Sequence, residues 1–311
     1  MTLLPCPALG EQYELTLDAA GRSVRAVITE VAAAIRHLSV DSVEITAGYD
    51  DDVPPPFGSG IVLVPWPNRV RDGRWTHEGR TLQLDITEPH LGNAIHGLLR
   101  NTPYELIERS ANVICLRAQV FPQNGYPFRL DTRVRYTLVA DGIEVTHTVK
   151  NLGSACAPVA IGAHPFLAIG DVPTDSLTLT VSADHHIDVD DRLNPIGIAP
   201  VHDTDWDLRD GKVVSTLNLD DAWSGLTITD GGSTHWLTAS DGRAVSLWAD
   251  EQFGYVQVFI TREYPRRDRL ITAVAIEPMT APADAFNSGE GLRWIQPGNS
   301  WSASWAIRYH D

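Results

Sequence analysis

Cysteine is scarce: the 311 residues contain three, Cys6, Cys115 and Cys156. The number is odd and no pair has metal-ligand spacing, which argues against a disulfide-stapled scaffold and points to buried free thiols in a reducing compartment. Basic charge is also short, with 24 Lys and Arg against 40 Asp and Glu and a formal net charge of -16. Neutralising a phosphate backbone needs a basic surface, so no nucleic acid is expected as a partner. The same balance disfavours anionic membranes. No apolar run reaches the roughly 18 to 20 residues that span a bilayer, so no membrane association is expected. The N-terminus lacks a basic stretch followed by an apolar core, so no secretory signal is expected and the chain reads as cytoplasmic. Glycine-rich dinucleotide fingerprints, P-loops and metal-binding clusters are missing too, which leaves no cofactor and no metal in the expectation.

The rest of the composition is that of an ordinary globular protein, with 43% hydrophobic and 21% charged residues. Nine Trp, eight Tyr and seven Phe are enough to line a binding groove as well as fill a core. Composition does not break anywhere and no repeat or low-complexity tract is visible, so one domain over residues 1–311 is expected.

Alternation with period two dominates. Leu130 to Leu138 alternates apolar and polar, Asp141-Gly142 follows as a turn, and Ile143 to Val149 alternates again, which predicts a β-hairpin. Leu177 to Val181, Ala244 to Trp248, Tyr255 to Ile260 and Trp301 to Tyr309 read as further strands. Turn pairs recur at Asp72-Gly73, Glu78-Gly79, Asp210-Gly211, Asp230-Gly231 and Asp241-Gly242. Many short strands between such turns predict an all-β sandwich or barrel. Val27 to Leu38 is ambiguous, because Val31-Ala32-Ala33-Ala34-Ile35 favours helix by propensity. Its β-branched, turn-bounded surroundings favour strands. Loops are expected over Asp51 to Gly60 and over Tyr264 to Arg269.

Two apolar runs each end in an ionisable residue followed by proline: Ala160 to Ala163 before His164-Pro165, and Ala273 to Ile276 before Glu277-Pro278. Proline holds the preceding residue in extended geometry and fits poorly inside a sheet ladder. His164 and Glu277 are therefore expected at strand ends, aimed into a cleft as an acid and base pair. A carboxylate in so apolar a run is unfavourable unless paired or functional. Two more stretches carry groups suited to a sugar: Pro65-Trp66-Pro67-Asn68-Arg69 and Asn93-Ala94-Ile95-His96-Gly97. Aromatic faces cover apolar C–H surface, planar polar groups read hydroxyls, and Gly97 allows close approach of a ligand to the backbone. Each has a bland alternative: a structural histidine beside glycine, or an arginine that merely holds a surface carboxylate.

Taken together, these stretches resemble the aldose 1-epimerase (galactose mutarotase) family. The resemblance rests on Pro65 to Val70 with Asp72-Gly73, Asn93 to Leu98, His164-Pro165-Phe166, Leu219 to Trp223, and Glu277-Pro278 with Asp284 to Asn287, in the family's order over most of the chain. It implies a large antiparallel β-sandwich of the galactose mutarotase-like supersandwich type, with the active site on a concave face. It implies Glu277 as general base, His164 as general acid, and Arg69 and His96 as sugar-positioning groups, with Asn68 and Trp66 beside them. The aspartate of the family's D-x-x-F pattern falls on Asp220, with Asp221 adjacent and Trp223 in the aromatic place. Phe166 stands where many relatives carry Tyr.

The implied activity is interconversion of the α and β anomers of a free monosaccharide, an aldohexose such as glucose or galactose, by a monomer or homodimer. An ionised Glu277 and a protonated His164 predict a bell-shaped pH profile, with a flat response between about pH 5 and 9 counting against the pair. Three alternatives compete. A hexose-6-phosphate mutarotase would use the basic island Tyr264-Pro265-Arg266-Arg267-Asp268-Arg269 to hold phosphate, where the bland alternative is a solvated loop. A non-catalytic carbohydrate-binding sandwich would need Trp and Arg but not the Glu277 and His164 combination. A β-domain that only mediates protein association would bind no sugar.

Overall fold

Period-two patterning resolves into two large antiparallel sheets. The computed structural model describes residues 8–267 and 269–311. Nine strands form one sheet, in the order Glu105–Arg109, Val113–Val120, Leu130–Val139, Gly142–Asn151, Ser300–His310, Ala244–Asp250, Gly232–Thr238, Thr178–Thr180 and Lys212–Val213. Its middle is the hairpin expected from sequence, with Tyr136 opposite Val145. The second sheet runs Pro195–Pro200, Ala183–Val189, Asp220–Leu226, Tyr255–Arg266, Arg269–Met279, Gly162–Ala163 and Val62–Leu63, with Phe166–Leu167 also paired to Arg269–Met279. A smaller four-stranded sheet takes up Gln12–Ala19, Arg22–Thr29, Ile35–Val40 and Val43–Glu44. The fold is a galactose mutarotase-like antiparallel sandwich, and its one α-helix is a single turn, Ala285–Ser288, among the described residues. No helix there is long and apolar enough to cross a membrane.

Strand alternation divides the second sheet into two faces. Val256, Val258, Ile260, Val274 and Ile276 join the main core, where they meet Val145, Leu247 and Ile307 from the nine-stranded sheet. Their neighbours Gln257, Phe259, Ala273, Ala275 and Glu277 take the opposite face, where Phe166, Tyr264 and Ala47 form a small apolar cluster around Ala273 and Ala275. This second face carries the candidate site.

Three local expectations meet the structure differently. Val27 to Leu38 is strand, turn and strand, as its surroundings favoured, with Ala32 and Ala33 at φ of 60° and 49° making the turn. Tyr264 to Arg269 is not a free loop: strand Tyr255–Arg266 runs through Tyr264, and its partner begins at Arg269. Tyr264 explains this, since its ring is fully buried and its hydroxyl donates to the carbonyl of Ala47 at 2.7 Å. Glu277 lies inside strand Arg269–Met279 rather than at its end, and the strand continues through Pro278. Pro278 is tolerated because the amides of Ile276 and Thr280 on either side bind the carbonyls of Pro165 and Ile161, so the ladder holds on both sides of its missing N–H. Cys115 is buried and Cys156 half-buried, both as free thiols; Cys6 lies outside the described residues, as does Asp268.

Candidate active site

Register brings Asp220, Gln257 and Glu277 together. Gln257 is opposite Glu277 on one side and opposite Ala222 on the other, while Asp220 is opposite Phe259. All five strand positions therefore share one face. Gln257 Nε2 donates to Asp220 Oδ1 at 2.7 Å, and Asn68 Nδ2 donates to Gln257 Oε1 at 3.1 Å. Asp221 points the other way, where its carboxylate holds His186 Nε2 at 2.9 Å. Alternation thus places Asp220, and not Asp221, in the cleft.

The stretch after Pro67 supplies the opposite wall. Asn68 and His96 both adopt left-handed backbone, at φ of 53° and 62°, an unusual geometry that concentrates at functional sites. The two residues lock each other: the His96 amide donates to the Asn68 carbonyl at 2.9 Å, and the Asn68 amide donates to His96 Nδ1 at 3.3 Å. With Nδ1 accepting, the neutral ring carries its proton on Nε2 as a donor. Gly97 is required for a different close approach from the one expected. A Cβ there would stand 2.1 Å from the Val64 carbonyl oxygen, so the glycine serves chain crossing rather than ligand access.

Arg69 is buried and grips Glu88 with two parallel bonds of 2.9 Å, from Nε and Nη2. Its Nη2 also reaches Asp220 Oδ2 at 3.2 Å. Burial disfavours the guanidinium's charge, but the two carboxylates outweigh it and hold Arg69 firmly cationic. Burial also lifts the Asp220 carboxyl above its ordinary range, with Arg69 pulling back.

His164 and Glu277 face each other across this network, with His164 Nε2 3.3 Å from Glu277 Oε1. Both are almost fully buried, at 4% and 2% exposure. Burial drives each toward its neutral form: the His164 imidazole falls to about 4, and the Glu277 carboxyl rises well above its ordinary value, with the Asp220 charge adding to the rise. Burial therefore favours the arrangement with His164 neutral and Glu277 protonated over the ionised pair. His164 Nδ1 and Glu277 Oε2 have no protein hydrogen-bond partner, although both are buried. Unpartnered buried polar atoms are unfavourable, and a pair of them in one cleft marks a place where a ligand completes the bonding. The His96 ring meets His164 edge to face at 5.3 Å between centroids, and burial keeps His96 well below its ordinary value and so uncharged.

Of the residues expected from sequence, Glu277, His164, Arg69, His96, Asp220 and Asn68 converge here. Trp66 does not. Its ring is 2% exposed and packs on Phe286 at 5.4 Å and Tyr126 at 6.4 Å, in the aromatic core that also holds Trp75. The prolines on either side direct the indole inward, and its role is to support the wall that Asn68 and Arg69 occupy. Asp284 anchors the same wall, since its carboxylate accepts from the Arg71 amide at 2.9 Å while its own amide donates to the Arg69 carbonyl at 2.6 Å.

Sequence reasoning missed Glu88, Gln257, Phe259 and Phe57. Glu88 carried a usable signal, because Glu88-Pro89 repeats the carboxylate-before-proline pattern of Glu277-Pro278. Gln257 and Phe259 are visible only through register. The aromatic surface beside His164 comes from Phe166 and Phe259, at 5.3 and 6.4 Å, and from the 44% exposed Phe57, tilted against Phe259 at 5.8 Å.

Comparison with known proteins gives the same direction. A family model described as aldose 1-epimerase matches residues 13–308. The uncharacterized protein YihR of Escherichia coli (strain K12) is 30% identical over 291 residues, which cover 91% of this chain and 89% of that protein. Among solved structures, the GalM/aldose epimerase homologue from C. elegans matches with a TM-score of 0.80 at 16% identity, over 96% of this chain and 99% of that one. A galactose mutarotase-like protein from Clostridium acetobutylicum matches with a TM-score of 0.79 at 16% identity, over 97% and 98%. At such identities the two structures speak for the fold alone.

Proposed function

Because the chain belongs to the aldose 1-epimerase family, we propose that it is a mutarotase, interconverting the α and β anomers of a free aldohexose such as glucose or galactose. The observation that carries this reading is the buried His164 and Glu277 pair, 3.3 Å apart, with an unpartnered atom on each partner.

Ring opening removes the proton from the C1 hydroxyl and adds one to the ring oxygen. Glu277 as carboxylate takes the first proton, and protonated His164 gives the second. The C1–O5 bond then breaks to an aldehyde. Rotation about C1–C2 presents the other carbonyl face, and reclosure reverses both transfers. Opening leaves the proton on Glu277 and none on His164, the neutral arrangement that burial favours. The ionised pair is therefore the less stable partner of that state, and the chemical step relieves the separation of charge. The Nε2–H of His96, the guanidinium of Arg69 and the Asp220 carboxylate surround the pair as donors and acceptor for the sugar hydroxyls, while Phe57 and Phe259 offer apolar faces.

The phosphorylated-sugar alternative relied on the Arg266 to Arg269 island. Arg269 lies eight residues from Glu277 on one strand, about 26 Å at roughly 3.3 Å per residue. Five bonds separate C1 of a hexose from the phosphorus of its 6-phosphate, under about 8 Å at roughly 1.5 Å each. That island is out of reach of a sugar held by Glu277. A polarimetric panel of freshly dissolved α-glucose, α-galactose and glucose 6-phosphate tests the proposal. Turnover of a free hexose above that of the phosphate is expected; binding of sugar without faster mutarotation would favour a carbohydrate-binding protein.

A further inference from the structure

A second cleft lies away from Glu277. It has a volume of about 1110 Å³ and opens at the far end of the same strand pair, where Arg262, Arg266, Arg267 and Arg269 meet Arg243 from the turn before strand Ala244–Asp250. Five of the chain's 24 basic residues thus surround one space in a protein of net charge -16. Among the described residues the carboxylates lining it are Glu44, Asp171 and Asp175; Asp268, between Arg267 and Arg269 in sequence, lies outside them. Asp175 is occupied by the Thr272 hydroxyl at 2.8 Å, and Asp171 is 93% exposed and only 3.6 Å from Arg243. Cationic groups therefore dominate the walls.

Several of these guanidinium groups are held in place. Arg266 pairs with Glu44 and keeps 24% side-chain exposure. Arg243 is fixed by Asp241 at 2.8 Å, and Arg262 donates to the Leu217 carbonyl at 2.9 Å. They project from ordered strands and turns, and the floor beneath them is apolar, with Ala47, Ala168 and Ile271. Arginine forks match the oxygens of phosphate in a planar, bidentate way that lysine does not. The volume exceeds what a bare ion fills and lies just above the range of small-molecule pockets, about 300 to 1,000 Å³.

We propose that this cleft is a second ligand site, for a phosphomonoester of a small organic molecule, separate from the catalytic cleft. The site stands whether or not the mutarotase reading does, because none of its residues takes part in that chemistry.

Isothermal titration of the full chain with glucose 6-phosphate, with inorganic phosphate and with glucose, followed for the phosphates by phosphorus NMR, tests it. One saturable site for glucose 6-phosphate is expected, persisting in excess glucose and in Glu277→Gln. Arg267→Gln/Arg269→Gln should weaken it at least about tenfold and leave mutarotation of glucose unchanged. Arg243→Gln, at the opposite wall, should weaken it too. Tighter binding of the sugar phosphate than of inorganic phosphate supports a site that reads the organic body. Equal or weaker binding of the sugar phosphate, absence of saturable binding, binding untouched by all these arginine changes, or displacement by glucose would overturn the proposal.

Discussion

One strand pair, Tyr255–Arg266 with Arg269–Met279, carries ionisable groups at both ends and handles them in opposite ways. Near Glu277 the groups are buried: Glu277 and Gln257 are 2% and 3% exposed, and Arg69 and Glu88 each 7%. There, charge survives only where it is matched, as in Arg69 with Glu88, and otherwise is suppressed, as in His164 and Glu277. At the far end Arg262, Arg267 and Arg269 stand in solvent and need no partner to remain charged. Burial suits the first end to the proton transfers proposed for it, and exposure suits the second to the fixed countercharge proposed there.

The contrast can be broken most sharply at Glu88. Removing one member of a buried ion pair leaves the other uncompensated, so Glu88→Gln is expected to lower stability by about 3 to 5 kcal/mol. Urea unfolding with an unchanged slope reads this directly. A loss below about 1 kcal/mol would mean that the Arg69 pair is solvated like a surface bridge.

Next in size is His164→Gln, expected to cut mutarotation at least about a hundredfold and to invert the alkaline side of the pH profile. In the native pair one shared proton is required. Activity falls below about pH 4, as His164 takes a second proton, and falls again at high pH, as Glu277 gives up the last one. Burial thus moves the acid limb down to about 4 and the alkaline limb above the ordinary carboxylate range, so the active window is wider than unperturbed values give. Without His164 only ionised Glu277 is useful, so the residual rate should rise with pH where the native rate declines. A variant profile that still falls there would assign the limb to another group. The smallest effect belongs to the exposed end, where Arg269→Gln should change stability by no more than about 0.5 kcal/mol. A larger loss, seen in the same unfolding assay, would show that the arginines brace the hairpin.

The sequence displayed the elements of this site unevenly. Glu277 and His164 were legible because each interrupts an apolar run immediately before proline, and the same punctuation marks Glu88. Alternation predicted the strands, yet it could not say which strands are neighbours, so the Gln257 contact to Asp220 and the Phe259 wall stayed hidden. The choice between Asp220 and Asp221 turns on one residue of register, since a step along a strand exchanges faces. Trp66 misled because residue type suggested a sugar platform while its flanking prolines turned the ring into the core. The basic island looked like a loop by composition, and only the burial of Tyr264 shows why the strands extend through it.

The central claim is that Glu277 moves a proton rather than merely lining the cleft. Polarimetry of α-galactose and α-glucose with Glu277→Gln, alongside circular dichroism and sugar-binding titration, tests it most directly. The account predicts an unchanged fold, retained binding and turnover lowered by at least about two orders of magnitude. Near-normal mutarotation by that variant would contradict it.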